Sequence, residues 1–205
     1  MTCICVLGPH RSGTSAVAGV LHHLGIHMGD DLIGPGHGNP KGHFEDREFV
    51  ELHDRIIGDW KKPALRVAPY WTEYKALIAR RNQAHRVWGV KDPRLTFAFP
   101  AFEEVCQEQT RLIATSRPTA ITAWSLHSRG GHTTQEAADI AELYRARLER
   151  ILDVYDYVPT IRVEYDQLIE SPILVIDTIA EFLGVQPTQA AYDFIDPSLR
   201  HCYVE

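Results

Sequence analysis

The chain opens on a short apolar run, Ile4, Val6 and Leu7, which a polar turn interrupts: Gly8-Pro9-His10-Arg11-Ser12-Gly13-Thr14-Ser15. Apolar positions then return at helical spacing, at Ala16, Val17, Val20, Leu21 and Leu24. This pattern predicts a strand, a glycine-bounded loop and a helix in succession. A Gly/Pro-rich stretch from Gly29 to Gly42 reads as a surface loop or lid. Helical periodicity resumes from Glu45 to Gly58, with Phe49, Leu52 and Ile56 inward and Glu48, Glu51 and Arg55 outward. Residues 61–69 are irregular, 71–82 helical, 87–90 a strand, 97–105 helical and 112–115 a third strand. Arg117-Pro118 sets a proline at the first turn of the next helix. Thr133 and Glu136 form a capping box for the longest helix, whose stripe runs Ala137, Ile140, Ala141, Tyr144, Leu148, Ile151 and Tyr155. A fourth strand spans 159–163, and a last helix starts at Ser171-Pro172 and stops at Gly184.

Short apolar strands alternating with helices define an α/β protein. The expected architecture is a P-loop-type three-layer fold with a mainly parallel central sheet of about four to five strands flanked by helices. The length of 205 residues fits a single domain over 1–205. Ligands of such sheets sit beyond the carboxyl ends of the strands. The loops that start at Gly8, Lys91, Ser116 and Glu164 are therefore expected around one site.

The net charge of −6 argues against a general binder of nucleic acid or membrane surface, so any anion site must be a local concentration of Arg and Lys. The four cysteines form no C-x-x-C and read as reduced, partly buried thiols. Neither a signal peptide nor a membrane-spanning stretch is visible, and the expected location is cytoplasmic.

The first loop is a phosphate cradle by chemistry, because loop N–H groups and the positive end of a helix converge on one anion. Its G-x-x-x-x-G spacing fits the nucleotide P-loop, but Thr14-Ser15 stands where that motif has Lys-[Ser/Thr]. Arg11, inside the loop, and the N–H groups of Gly13, Thr14 and Ser15 are what it offers an anion. The second strand ends in Lys91-Asp92-Pro93-Arg94 and the third in Ser116-Arg117. Ser125 lies about two turns up the following helix, where it can face the same groove as Arg117. An Arg with a hydroxyl fits a second phosphate. Two separated phosphate sites point to a nucleotide phosphorylated at two places.

At these motifs the chain resembles the sulfotransferase family, which uses 3′-phosphoadenosine 5′-phosphosulfate (PAPS). Gly8 to Ser15 resembles the family's 5′-phosphosulfate loop, which implies donor contacts from Arg11, Ser12, Gly13, Thr14 and Ser15; Ser116-Arg117 with Ser125 resembles its 3′-phosphate motif. The segments Asn39 to Asp46 and Trp88 to Arg94 are similar to stretches common in bacterial members, and Tyr165 through Gly184 to the closing strand–helix unit. The chain departs from the pattern in placing Pro118 directly after Arg117, and in lacking a Gly-rich basic loop near the C-terminus, where Arg200 is what it offers instead. The resemblance implies transfer of a sulfuryl group from PAPS to a hydroxyl or amine, with no metal required. Glu45 is the expected general base, by similarity to heparan and tyrosylprotein sulfotransferases; His43 is the rival, because cytosolic members use a histidine, and Asp46 is third. Lys91 and Arg11 are the expected catalytic cations, Lys91 by similarity to the Lys-Asp-Pro segment of tyrosylprotein sulfotransferases.

The blander readings make Glu45 a first-turn complement to the helix dipole, and Lys91-Asp92 a strand-end ion pair. His22, His23 and His27 read as ordinary histidines rather than metal ligands, and Trp60, Tyr70, Trp71 and Trp88 as core. The expected acceptor is a carbohydrate or small molecule, lined by the Gly29–Gly42 loop and the Lys61–Trp71 segment. The competing functions are a P-loop nucleotide kinase or NTPase, and a non-catalytic nucleotide-binding protein of the same fold.

Overall fold

The computed structural model describes residues 1–36, 39–106 and 110–199. Alternation along the first strand, β1 (Thr2–Leu7), sorts the core into two halves. Cys3, Cys5 and Leu7 join one buried cluster, while Ile4 and Val6 join the other. Three more strands follow: β2 (Val87–Lys91), β3 (Thr110–Ser116) and β4 (Thr160–Glu164). They form a four-stranded sheet in the order β2-β1-β3-β4, and every pairing is parallel. All four carboxyl ends therefore face one edge of the sheet. Strands buried on both faces read as continuous apolar runs, as β1 and β3 do.

On the Cys3 face lie α2 (Arg47–Ile57), α3 (Trp71–Ala84), α4 (Leu95–Cys106) and part of α6 (Thr134–Val154), through Phe49, Tyr74, Phe102 and Leu148. On the Ile4 face lie α1 (Thr14–His23), α7 (Tyr165–Glu170), α8 (Pro172–Leu183) and α9 (Gln189–Phe194), through Val17, Leu168, Ile176 and Ala191. A third, smaller cluster joins α5 (Thr119–Ser128) to the first half of α6, through Leu126, Ala137 and Tyr144. The capping box at Thr133 and Glu136 is present, and α8 ends on Gly184 in the left-handed region. Cys3, Cys5 and Cys106 are free and buried.

The structure corrects one boundary that matters for the site. The helix expected from Glu45 begins at Arg47, with Asp46 as its N-cap accepting the Glu48 N–H at 3.0 Å. Phe44, at φ 55, breaks any helical continuation upstream. Glu45 instead pairs in extended fashion with the preceding loop: Ile33 N–H donates to its carbonyl at 2.8 Å, and His43 N–H donates to the Ile33 carbonyl at 3.0 Å. Glu45 is thus fixed by backbone pairing and carries no first-turn dipole role.

Candidate active site

The first loop is held from beneath by hydroxyls. Thr96 accepts the Gly8 N–H at 3.3 Å, Ser12 donates to the Pro9 carbonyl at 2.8 Å, and Ser12 and Thr115 share a hydrogen bond of 2.9 Å. Gly13 closes the loop at φ 95 as the N-cap of α1. A Cβ there would lie 2.4 Å from the Tyr165 ring, so both conformation and space demand glycine. The N-terminus of α1 opens into a cleft of about 800 Å³, counted to its open mouth. Its walls include Arg11, Gly13, Thr14 and Ser15 from the loop, Arg117 and Ser125 from the third strand end and α5, and Tyr165. Asn39, Pro40 and Lys41 close one side, and Phe194, Ile195 and Leu199 another.

Arg11 turns at φ 69 and donates through Nε to Ser125 Oγ at 3.0 Å. The Arg117 guanidinium lies over the Tyr165 ring, 4.7 Å from its centroid, and its Nε is 3.5 Å from Asp166 Oδ1. Two cationic groups, each beside a hydroxyl or an aromatic face, therefore frame the cleft beyond the loop. The donor set suits an anionic ligand.

Lys91 ends the second strand and is buried at 2% exposure. Its ammonium meets Glu45 Oε1 at 2.5 Å, Ser15 Oγ at 2.9 Å and the His43 carbonyl at 3.1 Å. One cation thus touches the start of α1 and the carboxylate from the segment before α2. His43 is half-buried; desolvation pulls its pKa down, the neighbouring Glu45 opposes this, and Lys91, Arg129 and Arg11 add to the fall. The ring is therefore neutral near pH 7. Asp46 is turned away, capping α2 and pairing with Arg81 at 2.7 Å.

The blander reading of Lys91 and Asp92 as an ion pair does not hold, since Lys91 pairs with Glu45 and Asp92 with Arg94. Asp92 is fully buried and accepts from His53 Nδ1 at 2.8 Å and from Arg94 Nη1 at 2.9 Å, while His53 Nε2 meets Tyr74 OH at 3.1 Å. Burial pushes the Asp92 pKa up, but the His53 hydrogen bond and the Arg94 guanidinium outweigh it and hold the carboxyl well below the usual range. Arg94 also reaches Asp54 at 2.6 Å. This network anchors the turn that aims Lys91.

Sequence reasoning missed several wall residues. Tyr165 and Phe194 carry no local signal beyond their aromatic type. His10 packs on Trp60 at 4.4 Å and Tyr144 at 5.0 Å. Burial, helped by Arg94, drives its pKa down to about 3. Trp60, expected in the core, is half-buried against this loop, whereas Trp88 is core as expected. Leu65, Val67, Ala68 and Trp71 line a separate groove with α4, not the site. Among the described residues, His27 gathers with Asp30 and His85 rather than with His22 and His23, and Arg81 pairs with that Asp30. Arg200 lies outside the described residues.

Comparison with solved structures agrees with this architecture. Sulfotransferase STF1 from Mycobacterium tuberculosis superposes with a TM-score of 0.65 at 18% identity, covering 99% of this chain and 72% of that one. The sulfotransferase domain of the Synechococcus olefin synthase gives 0.63 at 18% identity over 100% and 89%, and sulfotransferase STF9 from Mycobacterium avium gives 0.60 at 17% over 98% and 68%. No protein-family model matches the chain, and no curated protein matches its sequence. The chain has the fold of the bacterial-type sulfotransferases. Among the described residues, no helix is long and apolar enough to cross a membrane.

Proposed function

We propose that this protein, acting as one domain, transfers a sulfuryl group from PAPS to the hydroxyl (or amine) of a small molecule or carbohydrate. The observation that carries this reading is the Lys91 ammonium, buried between Ser15 at the phosphate loop and Glu45. It joins donor side and acceptor side in one contact. The N–H groups of Gly13, Thr14 and Ser15 would take the 5′-phosphosulfate, and Arg117 with Ser125 the 3′-phosphate. Glu45 takes the acceptor proton as the acceptor oxygen bonds to sulfur, and the S–O bond to the 5′-phosphate breaks. Adenosine 3′,5′-bisphosphate leaves. Lys91 and Arg11 neutralise the sulfuryl oxygens and the leaving phosphate, the electrostatic term that such sites depend on most. Since the leaving group is already held by N–H groups and guanidinium, the reaction is expected to tolerate EDTA. His43, neutral and adjacent, is the rival base.

Two features disfavour Mg-ATP chemistry: Thr14 stands where a Walker lysine would, and Arg11 occupies the loop. A screen of hydroxyl acceptors with sulfur-labelled PAPS tests the reading. Label transfer that survives EDTA and vanishes in Glu45→Gln supports it. Full transfer by Glu45→Gln would move the base to His43, and hydrolysis of Mg-ATP with no transfer from PAPS would overturn it.

A further inference from the structure

Away from the cleft, three side chains of metal-ligating type meet at the open edge of the sheet. β2 is an edge strand, and the segment after α1 runs along its outer side. His27 pairs with Trp88 in a parallel bridge, and the Gly89 N–H donates to the His27 carbonyl at 2.8 Å. Alternation sends Met28 into the core and leaves His27 on the opposite side. A Cβ on Gly89 would lie 2.6 Å from the Met28 sulfur, so glycine there permits this close seating. His85, the C-cap residue of α3, stands two positions before β2. Its ring stacks on that of His27, with centroids 3.7 Å apart and planes at 16°. Asp30 completes the group, its Oδ1 3.1 Å from His27 Nε2. One ligand atom from each of the three lies within 4.8 Å of the others. None of the three walls the cleft at the start of α1.

His27 Nε2 is buried and has no hydrogen-bond partner among the described residues, although a carboxylate oxygen is so near. That spacing suits two ligands of one ion: on a tetrahedral zinc, each about 2.0–2.1 Å from the metal, they stand about 3.3 Å apart. Asp30 is braced for the role. Its N–H donates to Asp46 Oδ2 at 3.3 Å, and Arg81 takes its Oδ2, which leaves Oδ1 to the imidazole. Outer contacts of this kind orient the ligands of metal sites. Arg81 does not cancel the local negative charge, because it also pairs with Asp46 and Glu48, and Arg80 pairs with Glu48 as well. These carboxylates outnumber the guanidiniums by one, which favours a cation. Two imidazoles with one carboxylate suit a borderline transition ion such as zinc, whereas magnesium and calcium take oxygen ligands.

We propose that His27, Asp30 and His85 bind a zinc ion, with solvent in the fourth position, and that the ion clamps the segment after α1 to the end of α3. Its role is structural. Asp30 and Arg81 both contact Asp46, the N-cap of α2, so the clamp extends to the start of that helix. The ion lies apart from the reacting groups, so the transfer proposed above still tolerates EDTA, and the two readings stand or fall separately. Calorimetry on the full chain, stripped with EDTA and dialysed, would compare zinc chloride with magnesium chloride. Zinc should bind with a stoichiometry of one, about tenfold or more tightly than magnesium. His27→Gln, Asp30→Asn and His85→Gln should each weaken zinc about tenfold or more, whereas His22→Ala combined with His23→Ala, at the end of α1, should leave it unchanged. Zinc at about a hundredfold excess over Kd should raise the Tm of the wild type by about 5–10 °C, and that of His85→Gln far less. Cobalt(II) in place of zinc should give the wild type the strong visible absorption of a tetrahedral site, which decides the matter even if the variants fold poorly. Zinc binding no tighter than magnesium, unchanged zinc affinity in His85→Gln, its loss in the His22 and His23 double variant, or the weak absorption of octahedral cobalt would overturn the proposal.

Discussion

Lys91 meets three oxygens at once, and its neighbours define what each substitution should do. Lys91→Ala removes the cation proposed to neutralise the sulfuryl group; the expected loss is about 10²–10³ in kcat, read by labelled transfer. A loss confined to KM would assign Lys91 to ground-state binding instead. Glu45→Gln should abolish turnover with bisphosphate affinity within about twofold of wild type, because Glu45 is not a wall of the nucleotide cleft. It should also destabilise the fold, by about 3–5 kcal/mol at most, since it strips a carboxylate from a buried ammonium. Ser15 Oγ and the His43 carbonyl still accept from Lys91 and reduce that cost. Urea midpoints for the two proteins give the value. The types of these residues and the strand-end position of Lys91 were readable in the sequence. The partner of Asp92 was not, because His53 and Tyr74 come from two helices whose packing no local spacing reports.

At the scale of elements, α1 and α9 meet through a glycine. A Cβ on Gly19 would lie 2.1 Å from the Phe194 ring. Phe194 walls the cleft at the start of α1, and its carbonyl accepts from Lys41, which lines the same cleft. Gly19→Ala should therefore push α9 outward, destabilise the protein by about 1–3 kcal/mol, and weaken the bisphosphate; calorimetry and a urea melt check both. Unchanged nucleotide affinity would separate α9 from the binding site. The strands, α1, α6 and α8 were legible because each has a full period or a paired start and stop signal. α9 was not, since six residues carry under two turns of pattern. The start of α2 was misplaced because Glu45 stands four residues before Phe49, in step with the inward stripe, while the left-handed backbone at Phe44 leaves no trace in composition.

Across the whole molecule, histidines couple stability to pH. Burial holds His10 at about 3 and lowers His43 as well. Between the His10 value and the unfolded value near 6.5, the unfolded chain binds more protons than the native one. Stability is then full above about pH 6.5 and falls as the pH drops, with His10 alone contributing a slope of about 1.4 kcal/mol per pH unit. Urea midpoints between pH 7.5 and 4.5 should decline accordingly, and His10→Phe, which keeps an aromatic ring against Trp60 and Tyr144, should flatten the decline. A flat wild-type profile would contradict the burial of His10. The layered fold was readable, and so was the meeting of Arg11, Arg117 and Ser125 in one cleft, because all four parallel strands end at the same edge of the sheet. The packing of His10 and His132 on Trp60 was not, because it joins three distant segments. Titration calorimetry in metal-free buffer decides whether the cleft takes a nucleotide phosphorylated at both 5′ and 3′ positions, as proposed. Adenosine 3′,5′-bisphosphate should bind at least tenfold more tightly than 5′-AMP, and Arg117→Ala should erase the difference; equal affinity for the two nucleotides, or binding of Mg-ATP alone, would contradict it.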